Sequence, residues 1–204
     1  NIYNSKVVLD GELYLRPEGL TGMGKASVEN SELTSDLFYF NLAEFNADTA
    51  DFKLNRSDND LVAFESVNLR TSIDLNERLG TFKSNGSNSF VSFPENQYIC
   101  FIDQLNWYMD DEKLELGASD GGKGSEFVSL HPEQDSLSFF SKSAFYDLNA
   151  YIIDAKKVDE ILVADAAIDR GNGEVVVLGK AKMQRFEDAT LLVNTEDKYH
   201  NLFD

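Results

Sequence analysis

The 204-residue sequence is poor in the residues that most often carry chemistry or covalent cross-links. It contains one cysteine, three prolines, two histidines and one tryptophan. A single cysteine cannot form an internal disulfide, so its presence does not indicate a redox compartment. Cys100 lies within the apolar run 98–102. We therefore expect it to be a small buried core residue and not a reactive thiol, which would need an exposed electropositive site.

Basic residues and long apolar runs are also scarce. Thirty-six acidic residues against 18 basic ones give a formal net charge of −18. This charge repels phosphate backbones, so we predict no nucleic-acid partner. No run approaches the roughly 18 apolar residues of a membrane-spanning helix, and we predict no membrane insertion of this chain. Both ends look cut, by signal removal or by excision from a longer polypeptide.

The common signatures of catalytic and cofactor sites are missing. The sequence has no P-loop, no Gly-x-Gly-x-x-Gly segment opening a helix and no Cys-x-x-Cys pair. His131 and His200 lie 69 residues apart, and neither has a second ligand at zinc spacing. We therefore predict a non-enzyme with no catalytic, cofactor-binding or metal residues. Substituting Cys100, His131 or His200 should leave any binding function intact.

Several acidic clusters could hold calcium through carboxylate oxygens, but they lack the glycine and terminal glutamate of an EF-hand loop. They are Asp48 with Asp51, Asp58 with Asp60, and residues 110–112. Solvated turns are the favoured interpretation. Residues 121–126 approach a calcium-binding Gly-Gly-x-Gly-x-Asp repeat, but Glu126 replaces the aspartate and the motif occurs once. A flexible linker is favoured there.

Alternation of apolar and polar residues is what the sequence does have. Val67, Leu69, Thr71, Ile73 and Leu75 alternate with polar residues, which predicts a strand with one buried face. Similar patterns predict further strands at 6–15, 38–42, 98–103 and 174–178, with turn signals such as Asn85-Gly86 between them. Short strands and frequent turns indicate an all-β fold.

Two stretches also fit an amphipathic helix. Residues 30–45 and 155–168 place apolar residues at helical as well as strand spacing. Because aromatic and β-branched residues are enriched in the neighbouring segments, we interpret both as strands. The second could still hold a short helix.

The pattern of apolar residues and glycines repeats itself along the chain at an offset of 62 residues. At that offset Gly24 falls on Gly86, Phe45 on Trp107 and Phe52 on Leu114. A duplicated unit keeps its core positions, so we predict two stacked units, about 6–54 and 67–116, within residues 1–116. Phe45 and Trp107 should then be equivalent buried residues. Two unrelated β-meanders that share a period by chance remain the alternative.

Residues 117–125 form a Gly-rich linker that separates these units from a C-terminal unit, 126–204. In the latter, the segments Asp135-Ser-Leu-Ser-Phe-Phe140, Ala144-Phe-Tyr-Asp147 and Ile153-Asp-Ala155 with Val158 resemble the repeat of OstA-type proteins, the lipopolysaccharide-transport β-jellyroll family. The run 161–168 and the segments after it resemble parts of very large envelope proteins of Bacteroidetes-type bacteria. The resemblance implies a cell-envelope β-stack that can carry a groove, with no catalytic residue.

The expected fold is therefore all-β, with at most one short helix. Its strands would form stacked short-strand repeats of a β-jellyroll or β-solenoid type, or a β-sandwich. We expect a structural scaffold or lipid-groove element of a larger envelope or secreted protein, in the periplasm, at the outer membrane or on the cell surface. Its partners would be lipid, glycan or neighbouring domains of that protein.

The alternative is a carbohydrate-recognition or glycan-processing β-domain, in which aromatics and paired carboxylates meet on one face. Trp107-Tyr108 and Phe38-Tyr39-Phe40 are the candidate aromatic platforms, although core packing is the favoured interpretation of both. The exposure of these rings separates the two classes of function.

Overall fold

The computed structural model of the protein describes most of the chain. The described residues are 2–17, 19–56, 59, 61–86, 89–117, 124–169, 171–186 and 189–193. Asp58, Asp60, His200 and most of the Gly-rich segment lie outside them.

The described residues form sixteen β-strands and a single 3-10 turn, Pro132–Gln134. The strands are β1 (Val7–Arg16), β2 (Gly19–Val28), β3 (Ser31–Phe40), β4 (Glu44–Asn55), β5 (Val62–Asp74), β6 (Leu79–Ser84), β7 (Val91–Phe93), β8 (Tyr98–Phe101), β9 (Gln104–Tyr108), β10 (Lys113–Gly117), β11 (Ser125–Ser129), β12 (Ser138–Asp147), β13 (Ile152–Val163), β14 (Ala166–Asp169), β15 (Glu174–Val177) and β16 (Thr190–Val193). The all-β prediction is confirmed. Both ambiguous stretches are strands, in β3 with β4 and in β13 with β14.

Eight of the strands close into an antiparallel barrel. Neighbours around the ring follow the order β5, β6, β9, β10, β12, β11, β8 and β7, and β7 pairs with β5 to complete it. The strands on the two sides of the ring form two walls, β6–β9–β10 and β7–β8–β11.

The two longest barrel strands join these walls. One edge of β5 pairs with β4, and the other edge is divided between β6 at residues 69–74 and β7 at residues 65–66. β12 does the same on the far side, with β13 along one edge and β10 and β11 sharing the other. Each long strand therefore belongs to both walls, and this sharing closes the barrel.

Flanking strands extend the sheet beyond β5 and β12, the two seam strands that join the walls. β1, β2, β3 and β4 form a continuous meander that ends on β5. On the other side, β13 pairs with β14 and β15, and β14 pairs with β16.

The core is one continuous apolar cluster that runs from Val7 to Ala181. Within the barrel and beside it, the core is largely aromatic. Phe52 stacks on Phe82 at 4.4 Å between ring centroids, and Phe127 stacks on Phe139 at 5.1 Å. Burial of such large side chains is the main favourable contribution to folding.

The β-solenoid alternative is wrong. In a solenoid each layer contacts only its sequence neighbours. Here the ring is closed by pairs far apart in sequence, such as β11 with β8 and β10 with β12, and every pair is antiparallel. A barrel or sandwich-like fold is the part of the prediction that holds.

The two 62-residue units share buried rings but pair their strands differently. Phe45 and Trp107 are both buried, at 0% and 2% exposure. β3 and β4 pair with each other through Phe40 and Phe45. The strands at the corresponding offset, β8 and β9, pair instead with β7 and β11 and with β6 and β10.

The alternation of buried and exposed side chains is interrupted within β5. Leu69, Ile73 and Leu75 are buried as predicted, but Val67 is 37% exposed and Ser66 is buried in its place. Asn68 has a positive φ of 57°, which adds an irregular residue to the strand. A one-residue insertion transfers the following side chains to the other face, so the period-two pattern changes phase at Asn68.

Candidate functional site

Cys100 lies in β8 and is fully buried, as predicted. Burial raises the pKa of its thiol well above the usual value, with a smaller opposing effect from a hydrogen bond with Ser125. A thiol whose pKa is raised has less of the reactive thiolate, so this position is a packing site.

His131 has a structural role at the 3-10 turn. Its Nδ1 accepts a hydrogen bond from the backbone N–H of Glu133 at 3.2 Å, which caps the turn Pro132–Gln134. One ring nitrogen of His131 is therefore used in a hydrogen bond with the local backbone, which is what the side chain of a capping residue does.

The acidic clusters form turns and exposed strand positions. Asp51 accepts a hydrogen bond from the backbone N–H of Asn68 at 3.0 Å, and Asp48 lies 3.7 Å from the guanidinium of Arg70. Asp110 pairs with Arg78. Among the residues that the structure describes, no group of three or more histidine, cysteine or carboxylate side chains is placed to hold a metal ion.

The proposed aromatic platforms are mostly core. Phe38 and Phe40 pack with Phe45, and Trp107 lies 5.5 Å from Phe52 between ring centroids. Tyr108 is only partly buried, and its hydroxyl donates to Glu115 at 2.7 Å. That hydrogen bond is the main reason that the pKa of Tyr108 is raised.

A series of ring contacts runs from β4 through β5 and β7 to β12. Phe64 lies 5.6 Å from Phe52 and 5.7 Å from Phe93, and Phe93 lies 4.8 Å from Tyr146. The Tyr146 hydroxyl donates to the backbone oxygen of Ala63 at 3.3 Å, which links the two seam strands. These buried rings occupy interior space that would be open in a ligand-binding barrel.

One surface cleft of about 340 Å³ lies between the turns β2–β3, β5–β6 and β9–β10. Of the described residues that line it, Arg78 is the only basic one, and it pairs with Glu29 at 2.8 Å as well as with Asp110. The hydrogen bond with Asp110, and then that with Glu29, raises the pKa of Arg78. Because two carboxylates already neutralise this guanidinium, the cleft is a weak candidate for binding anions.

A second cleft of about 490 Å³ opens between β3 and β4. Their pairing is interrupted between Thr34–Asp51 and Tyr39–Asn46. Tyr39, 40% exposed, lines the opening together with Asp36, Asp48 and Asp51. This is where the structure brings an exposed ring and carboxylates together, and of the predicted platform residues it includes Tyr39 alone.

The sheet has a free edge at β1, near the N-terminal end of the chain. Among the residues that the structure describes, β1 is paired along one side only, with β2, apart from a bridge between Ile2 and Val7. Leu13 and Leu15 were expected to lie on a buried face, but they are 50% and 85% exposed.

A signal for this exposure was present in the sequence. Residues 11–24 contain four glycines, at positions 11, 19, 22 and 24. Because glycine contributes no side chain, the hairpin β1–β2 has too few apolar groups near its tip to cover its own leucines.

Among the described residues, no helix is long and apolar enough to cross a membrane. Neither a protein-family model nor a curated protein matches the sequence of this chain.

Proposed function

We propose that this chain is a non-enzymatic β-rich scaffold module of a larger cell-envelope or secreted protein. The observation that carries the proposal is the filled barrel. Trp107, Phe82 and Phe127 occupy its interior at 2% exposure or less, so the module offers its neighbours strand edges and outer faces. Its partners are neighbouring domains, and it works in the periplasm, at the outer membrane or on the cell surface.

The lipid-groove form of this proposal needs an apolar channel on the outside of the barrel. Both clefts described above have charged side chains among their lining residues, Glu29 and Arg78 in the first and Asp36 and Asp48 in the second. An acyl chain gains free energy only where it leaves water for apolar surface. These clefts therefore favour the scaffold over the lipid groove.

A carbohydrate-recognition domain is the second candidate, and the β3–β4 cleft favours it. The face of Tyr39 can stack on a sugar ring, while the carboxylates of Asp36, Asp48 and Asp51 can accept hydrogen bonds from sugar hydroxyls. Pockets that combine an apolar surface with a few converging polar groups are typical ligand sites.

Two binding experiments separate these functions. The purified chain is incubated with a bacterial lipid extract and examined by native mass spectrometry. In the second experiment it is screened on a glycan array. The scaffold proposal predicts no stoichiometric lipid and no selective glycan. A retained lipid would replace it with the lipid-groove function.

A glycan bound by the wild-type chain would support the second candidate only if Tyr39→Ala abolishes the binding. Tyr108→Ala is the matched control, since Tyr108 is another partly exposed strand tyrosine outside the cleft. Equal loss in both variants would indicate non-specific binding and leave the scaffold proposal standing.

A further inference from the structure

The backbone of β1 presents hydrogen-bonding groups at its free edge that no other described residue uses. Val7 exchanges both of its backbone hydrogen bonds with Ile2, at 2.8 and 3.2 Å, on the side away from β2. In an antiparallel pair the direction of these groups alternates from residue to residue. The N–H and C=O groups of Leu9, Gly11, Leu13 and Leu15 therefore point outward, and β2 satisfies those of the residues between them.

The side chains at the same edge leave apolar surface uncovered. Val7 is fully buried, but Leu13 is 50% and Leu15 85% exposed on the same face of the strand. Leu20, opposite Leu15 on β2, packs only partly against the core. A further strand beside β1 would cover these leucines and satisfy the outward backbone groups together.

The opposite face of β1 carries negative charge that the chain does not neutralise. Asp10 and Glu12 are exposed there, and no salt bridge reaches either among the described residues. Lys25 lies across from Asp10, but its ammonium binds Glu32 at 3.1 Å. Arg16 lies over the ring of Tyr14 at 5.4 Å.

We propose that β1 is a docking edge for an extended segment of a neighbouring polypeptide in which apolar residues alternate with lysine or arginine. The apolar residues of that segment lie beside Leu13 and Leu15, and its basic residues lie beside Asp10 and Glu12. Addition of a strand to an open edge is a common mode of peptide recognition. The inference rests on the scaffold function, since it names the chemistry of the neighbour.

A second copy of this chain does not fit the edge. Pairing β1 with another β1 would bring further copies of Asp10 and Glu12 to the same ribbon, and like charges on adjacent strands repel. Each copy also carries a net charge of −18. The occupant is therefore a basic strand of different sequence.

Fluorescence anisotropy with synthetic peptides tests the pairing. The probe is a labelled peptide of about nine residues that alternates valine and lysine, a length within the usual range for a strand. Its controls are a peptide of the same composition with all valines before all lysines, and a peptide that alternates valine and glutamate. We expect only the alternating valine–lysine peptide to bind.

Charge reversal on β1 should weaken this binding about tenfold. Asp10→Lys is compared with Asp159→Lys, since both are exposed strand aspartates and both changes shift the net charge equally. Leu15→Lys is compared with Leu61→Lys, which changes an exposed leucine away from the edge. Equal loss in variant and control would reduce the effect to general attraction by an acidic protein and overturn the proposal.

Hydrogen exchange by NMR identifies the edge directly. On peptide binding, the amides of Leu9, Gly11, Leu13 and Leu15 should become protected, while those of Val8, Asp10, Glu12 and Tyr14 should change little because β2 already binds them. Protection elsewhere, or a β1-mediated homodimer in sedimentation experiments, would overturn the proposal. Such a failure would not contradict the scaffold function, which the lipid and glycan experiments test separately.

Discussion

Phe45 and Trp107 lie in two different aromatic groups of one core. Phe45 contacts Phe38 and Phe40 in the flanking meander, and Trp107 contacts Phe52 at the barrel wall. The sequence predicted both to be buried because apolar residues recur at their offset, and both are.

Truncation of either ring should be strongly destabilising. Phe45→Ala and Trp107→Ala should each lower the free energy of unfolding by about 3–5 kcal/mol, because a large cavity forms where packing is tight. Urea denaturation followed by far-ultraviolet circular dichroism measures this loss. Tyr39→Ala, at a ring that is 40% exposed, is the control and should cost much less. Similar losses in all three variants would contradict the assignment of these rings to the core.

Tyr98 should make stability depend on alkaline pH. Its side chain is fully buried, its hydroxyl donates to Gln134 at 3.2 Å, and burial raises its pKa from 10.0 to about 12. The folded state therefore holds this proton more tightly than the unfolded state, so the contribution is complete below pH 10 and is lost as the pH rises towards about 12.

The loss from this one group should be on the order of 2 kcal/mol. Denaturation in urea across this range, with Tyr98→Phe for comparison, measures it. The variant should show a shallower decline and one late-ionising tyrosine fewer in an absorbance titration. An unchanged decline would assign the alkaline sensitivity to other groups.

At the scale of elements, β5 shows how one residue changes a strand. Asn68 has a positive φ; its N–H donates to Asp51, and its carbonyl accepts from the Ser89 hydroxyl at 2.7 Å. The irregularity lies between the segments of β5 that pair with β6 and with β7. It therefore occurs where the strand passes from one wall of the barrel to the other.

Substitutions at Asn68 test whether this conformation is required. Asn68→Val should destabilise the protein by about 1–3 kcal/mol, because a β-branched residue is strained at positive φ. Asn68→Gly should cost less, since glycine adopts this region freely. Asn106→Val, in the regular strand β9, is the matched control and should be close to neutral. Equal effects of valine at the two positions would show that the irregularity is not under strain.

Whole-molecule contacts join the parts that the sequence separated. β11 and β12 follow the Gly-rich segment, yet they complete the barrel begun by β5. Asn96, fully buried, donates from its side chain to the backbone oxygens of Tyr151 at 2.9 Å and Val177 at 3.2 Å. These two hydrogen bonds connect the turn between β7 and β8 to the C-terminal third of the chain.

Unfolding should therefore occur in one step. Fluorescence of Trp107, the only tryptophan, and circular dichroism of the whole sheet should give coincident urea transitions. Phe139→Ala, on the other side of the Gly-rich segment, should shift the Trp107 transition as well as the dichroism. Two separate transitions would instead support a subdomain boundary at 117–125.

Much of the secondary structure was predictable from local patterns. Alternation and aromatic enrichment identified β1, β5, β8 and β15, because one-sided burial imposes a period of two on any strand. The predicted strand 38–42 overlaps only the end of β3, since the strand stops at Phe40 and Leu42 lies 98% exposed in the turn before β4. The candidate clefts were not predictable. Their positions depend on which strands pair and where pairing stops, and no short window of sequence contains that information.

The sequence by itself determined an all-β fold, a buried Cys100 and an acidic surface, since composition and local periodicity are enough to specify them. Tertiary structure alone decided that the ring closes, that β5 and β12 serve both walls, and that Leu13 and Leu15 remain uncovered. The physical reason is that these features depend on non-local backbone hydrogen bonds. Alternating sequences offer many possible partners for each strand edge, and only packing of the whole core selects among them.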